Sequence, residues 1–158
     1  MKLSFLDIDR VLATEYGSWN PPHELYAYPF NPKCVRILNE ILETTNAEIV
    51  LSSDWRLRYD LKLLDELFKY NGLIRSPIDI TPIIGRVKEK ETKDYLRQFN
   101  KNREKEIHRY IQQNSNKINR FVILDDADLK IYPNQFVKCN ISEGLIQAGI
   151  KEQVISIL

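Results

Sequence analysis

Cysteine is nearly missing from this sequence: Cys34 and Cys139 stand far apart and form no CxxC pair. Neither a disulfide framework nor a thiolate zinc site is supported, and two buried thiols are expected. Histidine is equally scarce, and His23 and His108 are expected at the surface. Charge of one sign is not in excess either. Lys plus Arg number 23 against 22 Asp plus Glu, a net charge of +1, which argues against a strongly basic nucleic-acid binder while leaving room for a local patch. A basic segment followed by a long apolar run is lacking at the start, and no stretch approaches the roughly 20 apolar residues of a membrane helix. No membrane partner is expected, and a reducing cytoplasm is the simplest location. Repeats and low-complexity segments are absent too.

What is present is ordinary for a globular protein: 43% hydrophobic and 28% charged residues in 158, enough for one core, so a single domain over 1–158 is expected. Leu3–Ile8 is a short apolar run closing on carboxylates and reads as a buried first strand. Residues 13–30 break every period, with Gly17, Pro21 and Pro22, and read as a flap or insertion. Asn31-Pro32 then opens a helix, with Val35, Leu38, Ile41 and Leu42 at helical spacing. Glu48–Leu51 reads as a second strand, followed by the turn Ser52-Ser53-Asp54 and a helix with Leu57, Leu61, Leu64 and Phe68 on one face. A short third strand is expected within Ile78–Ile84. The charge-dense stretch Arg86–Lys105 reads as either loop or helix start. Glu104–Gln113 is expected to be helical, burying Ile107, Tyr110 and Ile111. Arg120–Leu124 reads as a strand ending at Asp125-Asp126, Gln135–Asn140 as a further strand, and Gly144–Leu158 as a closing helix.

Strands alternating with helices imply an α/β fold with a mainly parallel sheet covered on both faces. Ligands in such sheets bind beyond the strand C-termini. Asp7 and Asp9, Ser52 and Ser53, and Asp125 and Asp126 would therefore converge on one edge. Carboxylates about 4 Å apart repel by on the order of 4 kcal/mol at an effective dielectric near 20, and a cation is the natural remedy. Asp7 with Asp125 offers the hard oxygens that Mg²⁺ takes, with water and a substrate phosphate completing the octahedron.

The run Phe5-Leu6-Asp7-Ile8-Asp9-Arg10-Val11-Leu12 resembles the first motif of the haloacid dehalogenase (HAD) superfamily, Asp-x-Asp-Gly-Val/Thr after an apolar strand. Ile49-Val50-Leu51-Ser52 is similar to the second motif and Val122-Ile123-Leu124-Asp125-Asp126 to the fourth. The resemblance is closest to the HAD domains of the so-called Swiss Army Knife RNA repair proteins, through Asn31 to Val35, Thr45 to Arg56, and Arg103 to Ile107. It implies a Rossmann-like three-layer fold with a small flap and no large cap domain. It also implies a magnesium-dependent phosphomonoester hydrolase working through an aspartyl-phosphate. By the same resemblance Asp7 would be nucleophile and metal ligand. Asp9 would be the acid/base and lend its backbone carbonyl to the metal, and Asp125 would bind Mg²⁺ with Asp126 close behind. Ser52, with Ser53 beside it, would hold the phosphoryl group, and Arg103, with Lys101 and Lys105 as near alternatives, would replace the third-motif base.

One departure stands out. The motif usually carries Gly where this chain has Arg10, which either clamps a substrate phosphate or obstructs the pocket. The implied substrate is a phosphorylated small molecule, a nucleotide or a nucleic-acid end, reached through an open site. The flap residues Tyr16, Trp19, His23, Tyr26 and Tyr28 either stack on a base or plug the sheet edge. The run from Lys88 to Lys105 either steers a polyanion or forms a solvated face. Trp55 and Arg56 either position the second-motif loop or are a packed ring and a solvated cation, and Asp128 reads as a surface acid. A receiver domain would cluster its acids at the first and third strands, and a Toprim nuclease would begin with Glu, so neither fits as well. A catalytically silent HAD-like module that binds phosphate or nucleic acid is the alternative of another class, and Arg10 is the feature that favours it.

Overall fold

The computed structural model describes residues 1–14, 30–85 and 93–158, with side chains for all of these except 93 and 94. Five parallel strands form its centre: β1 (Lys2–Leu6), β2 (Glu48–Leu51), β3 (Pro77–Ile80), β4 (Arg120–Asp125) and β5 (Phe136–Lys138), in the spatial order β3-β2-β1-β4-β5. Leu6 sits opposite Leu51 on one side and Leu124 on the other. The residues that follow, Asp7 and Ser52, therefore leave the sheet side by side next to Asp125. The first strand is shorter than the apolar run suggests. Ile8 lies beyond it, buried, and anchors a turn by accepting from the N–H groups of Val11, Leu12 and Ala13.

Among the described residues four α-helices cover the sheet: α1 (Pro32–Thr45), α2 (Leu61–Tyr70), α3 (Lys93–Gln113) and α4 (Ile150–Ile157). The start of α1 follows from its sequence, since the Asn31 side chain accepts from the Lys33 N–H and Pro32 occupies the first turn, where its missing donor costs nothing. Asp60 caps α2 by accepting from the Leu63 N–H. Alternation along the strands divides the core. Leu6, Ile49, Leu51, Val122 and Leu124 face α1, α2 and α4, whereas Leu3, Phe5, Val50 and Ile123 pack on Ile107 and Tyr110 of α3. The result is the expected three-layer α/β arrangement.

Three local expectations are corrected. Leu57 belongs to a separate 3-10 turn, Asp54–Leu57, and it and Leu61 are exposed, so α2 buries Leu64, Leu67 and Phe68 instead. The closing helix begins only at Ile150, because Gly144 and Gly149 adopt φ of 54° and 83°. Conversely α3 starts at Lys93, which resolves the later part of the ambiguous charged stretch as helix. Most of the expected flap, 15–29, and the start of the charged run, 86–92, lie outside the described residues.

Candidate active site at the strand ends

Asp7 emerges from β1 with its N–H donating to the Leu124 carbonyl at 2.9 Å, and its Oδ1 accepts from the Ile8 N–H at 2.9 Å. Asp125 ends β4 wholly buried, its Oδ1 accepting from the Ala127 N–H at 2.9 Å. Carboxylate oxygens of Asp7, Asp125 and Asp126 lie within 4.8 Å of one another. Burial, and next the charge of Asp7, pushes the Asp125 carboxyl up to about 7 against the opposing pull of Arg103. Asp126 is raised by burial and by Asp7, with Arg10 pulling the other way.

One buried cation answers this cluster. Arg103 projects from α3, and its Nη1 lies 2.8 Å from Asp7 Oδ2 and 2.9 Å from Asp125 Oδ2. Its Nη2 is 3.2 Å from Asp54 Oδ1, and the guanidinium lies over the Phe99 ring at 4.8 Å. Burial alone would lower the proton affinity of Arg103, but Asp7 and Asp125 outweigh it and hold the group well above its usual range. Lys101 and Lys105 point to solvent, so of the three cations weighed at this position Arg103 is the one the fold brings to Asp7. Arg103 between Asp7 and Asp125, and the half-exposed Arg10 on Asp126, still leave the three acids one positive charge short. Oxygens sharing one Mg²⁺ octahedron lie up to about 4.2 Å apart, and the oxygens here all lie within 4.8 Å of one another, so a small side-chain adjustment lets this donor set fit a small hard cation.

Asp9 stands outside the three-acid group, at the mouth of the site. The Trp55 indole N–H donates to its Oδ2 at 3.0 Å. Desolvation by the surrounding protein, and then the charge of Asp7, raises its proton affinity, while the Trp55 bond opposes them. Arg10 follows with φ of 62° and its Nη1 3.3 Å from Asp126 Oδ2. The left-handed backbone there is the conformation for which a glycine is ordinarily used. Ser52 and Ser53 are fully buried, and their hydroxyls, like that of Thr81 beyond β3, have no hydrogen-bond partner among the described residues.

The loop after β2 is held by a residue whose importance the sequence conceals. Arg56 is buried, donates from Nη1 to the carbonyls of Ser52 and Ser53, from Nε to Thr81 O at 3.3 Å, and pairs through Nη2 with Glu106 of α3. Glu106 in turn accepts from the Ile84 N–H at 3.0 Å. Burial lowers the Arg56 proton affinity, and Glu106 only partly opposes it. Asp54 lies within 3.7 Å of Arg56 as well as close to Arg103. Sequence reasoning offered the positioning role of Arg56 only as one of two options, gave no role to Asp54 or Glu106 although both lie within the stretches Thr45 to Arg56 and Arg103 to Ile107 that resemble the family, and missed Thr81, which lies in neither stretch.

Residues 3–150 match the family described as the HAD domain in Swiss Army Knife RNA repair proteins. The chain belongs to this family. Comparison with curated proteins and with solved structures returned no match. HAD domains are generally phosphatases that use Mg²⁺, and the family's place in RNA repair proteins points to phosphorylated or nucleic-acid substrates. This HAD domain has, among its described residues, no helix long and apolar enough to cross a membrane. Asp128 is exposed and pairs with Lys130 at 2.8 Å, away from the acids. His108 is exposed and contacts Tyr132, while His23 and the flap aromatics lie outside the described residues.

Proposed function

We propose that this HAD domain, as a single unit over 1–158 with 13–30 as its flap, hydrolyses phosphomonoesters through a phospho-aspartate on Asp7. The observation that carries this reading is the buried group Asp7, Arg103 and Asp125, with Asp126 in reach and Asp9 at the mouth. In the first step a carboxylate oxygen of Asp7 attacks phosphorus, the bond from phosphorus to the leaving oxygen breaks, and Asp9 gives its proton to that oxygen. In the second, Asp9 takes a proton from water, the water oxygen attacks phosphorus, and Asp7 is released with inorganic phosphate. Splitting one hard displacement into two eases both. Ser52, Ser53 and Arg10 would receive the phosphoryl oxygens, while Arg103 holds Asp7 in place and offsets its charge. Mg²⁺, held by Asp7, Asp125, Asp126 and the Asp9 backbone carbonyl, would screen the anionic phosphate from the anionic nucleophile.

Substrates of this reading are nucleotides or nucleic-acid terminal phosphates in a reducing cytoplasm, where the buried free thiols of Cys34 and Cys139 persist. The test is phosphate release from an aryl phosphate and from 3′- and 5′-phosphorylated oligonucleotides, with and without Mg²⁺. Metal-dependent release is expected, reduced at least about 10³-fold in Asp7→Asn. Arg10 supports a second reading, because it stands in the motif's glycine position and its guanidinium already engages Asp126. No release from any substrate together with retained binding of a phosphorylated oligonucleotide would replace the enzyme by a silent binding module.

A further inference from the structure

Beside the acids opens a cleft of about 590 Å³ with Asp9 at its edge, walled by the turn after β2 and by the first half of α3. Four of its lining residues are large aromatics: Trp55 and Tyr59 from the turn, and Tyr95 and Phe99 from the helix. Trp55 and Tyr59 sit 5.7 Å apart, and Tyr95 and Phe99 stack at 6.2 Å with their planes 26° apart. Trp55 and Tyr59 also pack against the core beneath α1 and α2. Tyr95 and Phe99 belong to neither core cluster, since α3 joins the core only from Ile107 onward. The Arg103 guanidinium covers one face of Phe99, and Phe99 stacks with Tyr95 one helical turn away, so among the described residues it is Tyr95, outside both cores and on the cleft, that calls for an explanation other than packing.

The position of the cleft limits what it can hold. A phosphate seated at Asp7 directs its leaving oxygen toward Asp9, and Asp9 lines the cleft, so the leaving group extends between these aromatic walls. Arg103 lines it as well, and the exposed cation Arg58 borders it. Flat π-faces beside cations near a phosphate site suit a nucleobase and its sugar-phosphate chain, whatever the base. The volume lies within the range that holds one ligand of nucleotide size.

We infer that the cleft walled by Trp55, Tyr59, Tyr95 and Phe99 binds the unpaired base of the nucleotide carrying the terminal phosphate, and recognises it by stacking with no base preference. This rests on the placement of the phosphate at Asp7 in the proposed function and adds the recognition of the leaving group. A cleft of about 590 Å³ walled on both sides has room for one nucleotide and none for its paired partner, so the ligand is a single-stranded end.

The experiment measures equilibrium binding of fluorescently labelled single-stranded oligonucleotides, without Mg²⁺ so that no turnover intervenes, and parallel phosphate release with Mg²⁺. Each oligonucleotide is compared with its counterpart whose phosphate-bearing terminal nucleotide is abasic. Loss of the base is expected to weaken binding between about 5- and 150-fold. Tyr95→Ala should weaken the complete ligand by a similar factor and remove most of the difference between the two, and Tyr95→Phe should restore it. Equal affinity for both ligands in the native protein overturns the inference, as does a phosphoserine peptide bound as tightly as the oligonucleotide. Discrimination without phosphate release upholds the cleft and removes the phosphatase, whereas release without discrimination upholds the phosphatase and removes the cleft.

Discussion

Arg10 holds a backbone conformation that favours glycine, with φ of 62°, and its side chain pairs with Asp126 from a position more than half exposed. The left-handed region costs a side-chain-bearing residue about 1–2 kcal/mol, and an ion pair this exposed returns at most about 1 kcal/mol. Arg10→Ala keeps the backbone cost and loses the pair, whereas Arg10→Gly loses the pair but relieves the backbone. Urea unfolding should therefore find the glycine variant more stable than the alanine variant by about 1 kcal/mol. The reverse order would mean that this turn is not strained.

Arg103 is the opposite kind of residue, buried and indispensable as a counter-ion. Replacing it by Met would leave Asp7 and Asp125 facing each other with no cation from the protein, at a cost of about 3–5 kcal/mol. Mg²⁺ should restore part of that loss in Arg103→Met, by supplying the charge that the variant lacks. A variant as stable as the native protein in metal-free urea unfolding would show that the two acids do not depend on Arg103.

At the scale of elements, the end of β2 is tied to α3 by one buried pair, Arg56 with Glu106. Glu106→Ala leaves the buried Arg56 only the half-exposed Asp54 as a counter-ion and removes the acceptor of the Ile84 N–H, so a loss of about 3 kcal/mol is expected. Phosphate release should fall further than unfolded protein alone explains, because the Ser52 and Ser53 carbonyls that Arg56 grips would shift. Full activity per folded molecule, with folding followed by circular dichroism, would deny Arg56 this positioning role.

Legibility in the sequence follows the same division. β1, β2 and β4 could be read because each is a short apolar run ending in Asp or Ser, and the parallel register then brings Asp7, Ser52 and Asp125 together. The true start of α4 was hidden, since Leu145 and Ile146 continue its apolar pattern while Gly144 and Gly149 turn the backbone away from helix. At Gly144 a Cβ would meet the Val11 carbonyl oxygen at 2.4 Å, a contact made by a residue far away in sequence. The pairing of Arg56 with Glu106 was hidden too, although each lies in a stretch that resembles the family. Charged residues in a turn and on a helix read as solvated until the fold places each within reach of the other.

The whole molecule is nearly neutral, with a net charge of +1, yet Asp7, Asp54 and Asp125 surround the buried Arg103, with Asp126 and Asp9 close by. Neutrality overall gives no general negative field to draw cations in, so the proposed Mg²⁺ binding rests on the site alone. Mg²⁺ at a hundred times its dissociation constant should stabilise the fold by about 2.7 kcal/mol, raising the melting temperature by about 5–10 °C for a chain of this size. Asp125→Asn should abolish most of that rise in thermal melts with and without the metal. An equal rise in the variant would place the metal elsewhere.

The strand order places β1 between β2, its near neighbour in sequence, and β4, which the chain reaches only after most of its length. Pairing β1 with β2 closes a modest loop through α1, whereas pairing β1 with β4 must overcome the entropy of a far longer one. Asp7 and Asp125 thus start refolding as strangers and meet only at the late, non-local step. A partly folded chain would carry native-like helices and the β1–β2 pair while lacking any place for a cation. During refolding, far-UV circular dichroism should recover ahead of the protection that Mg²⁺ gives, with the interval between them timing the closure of β1 on β4.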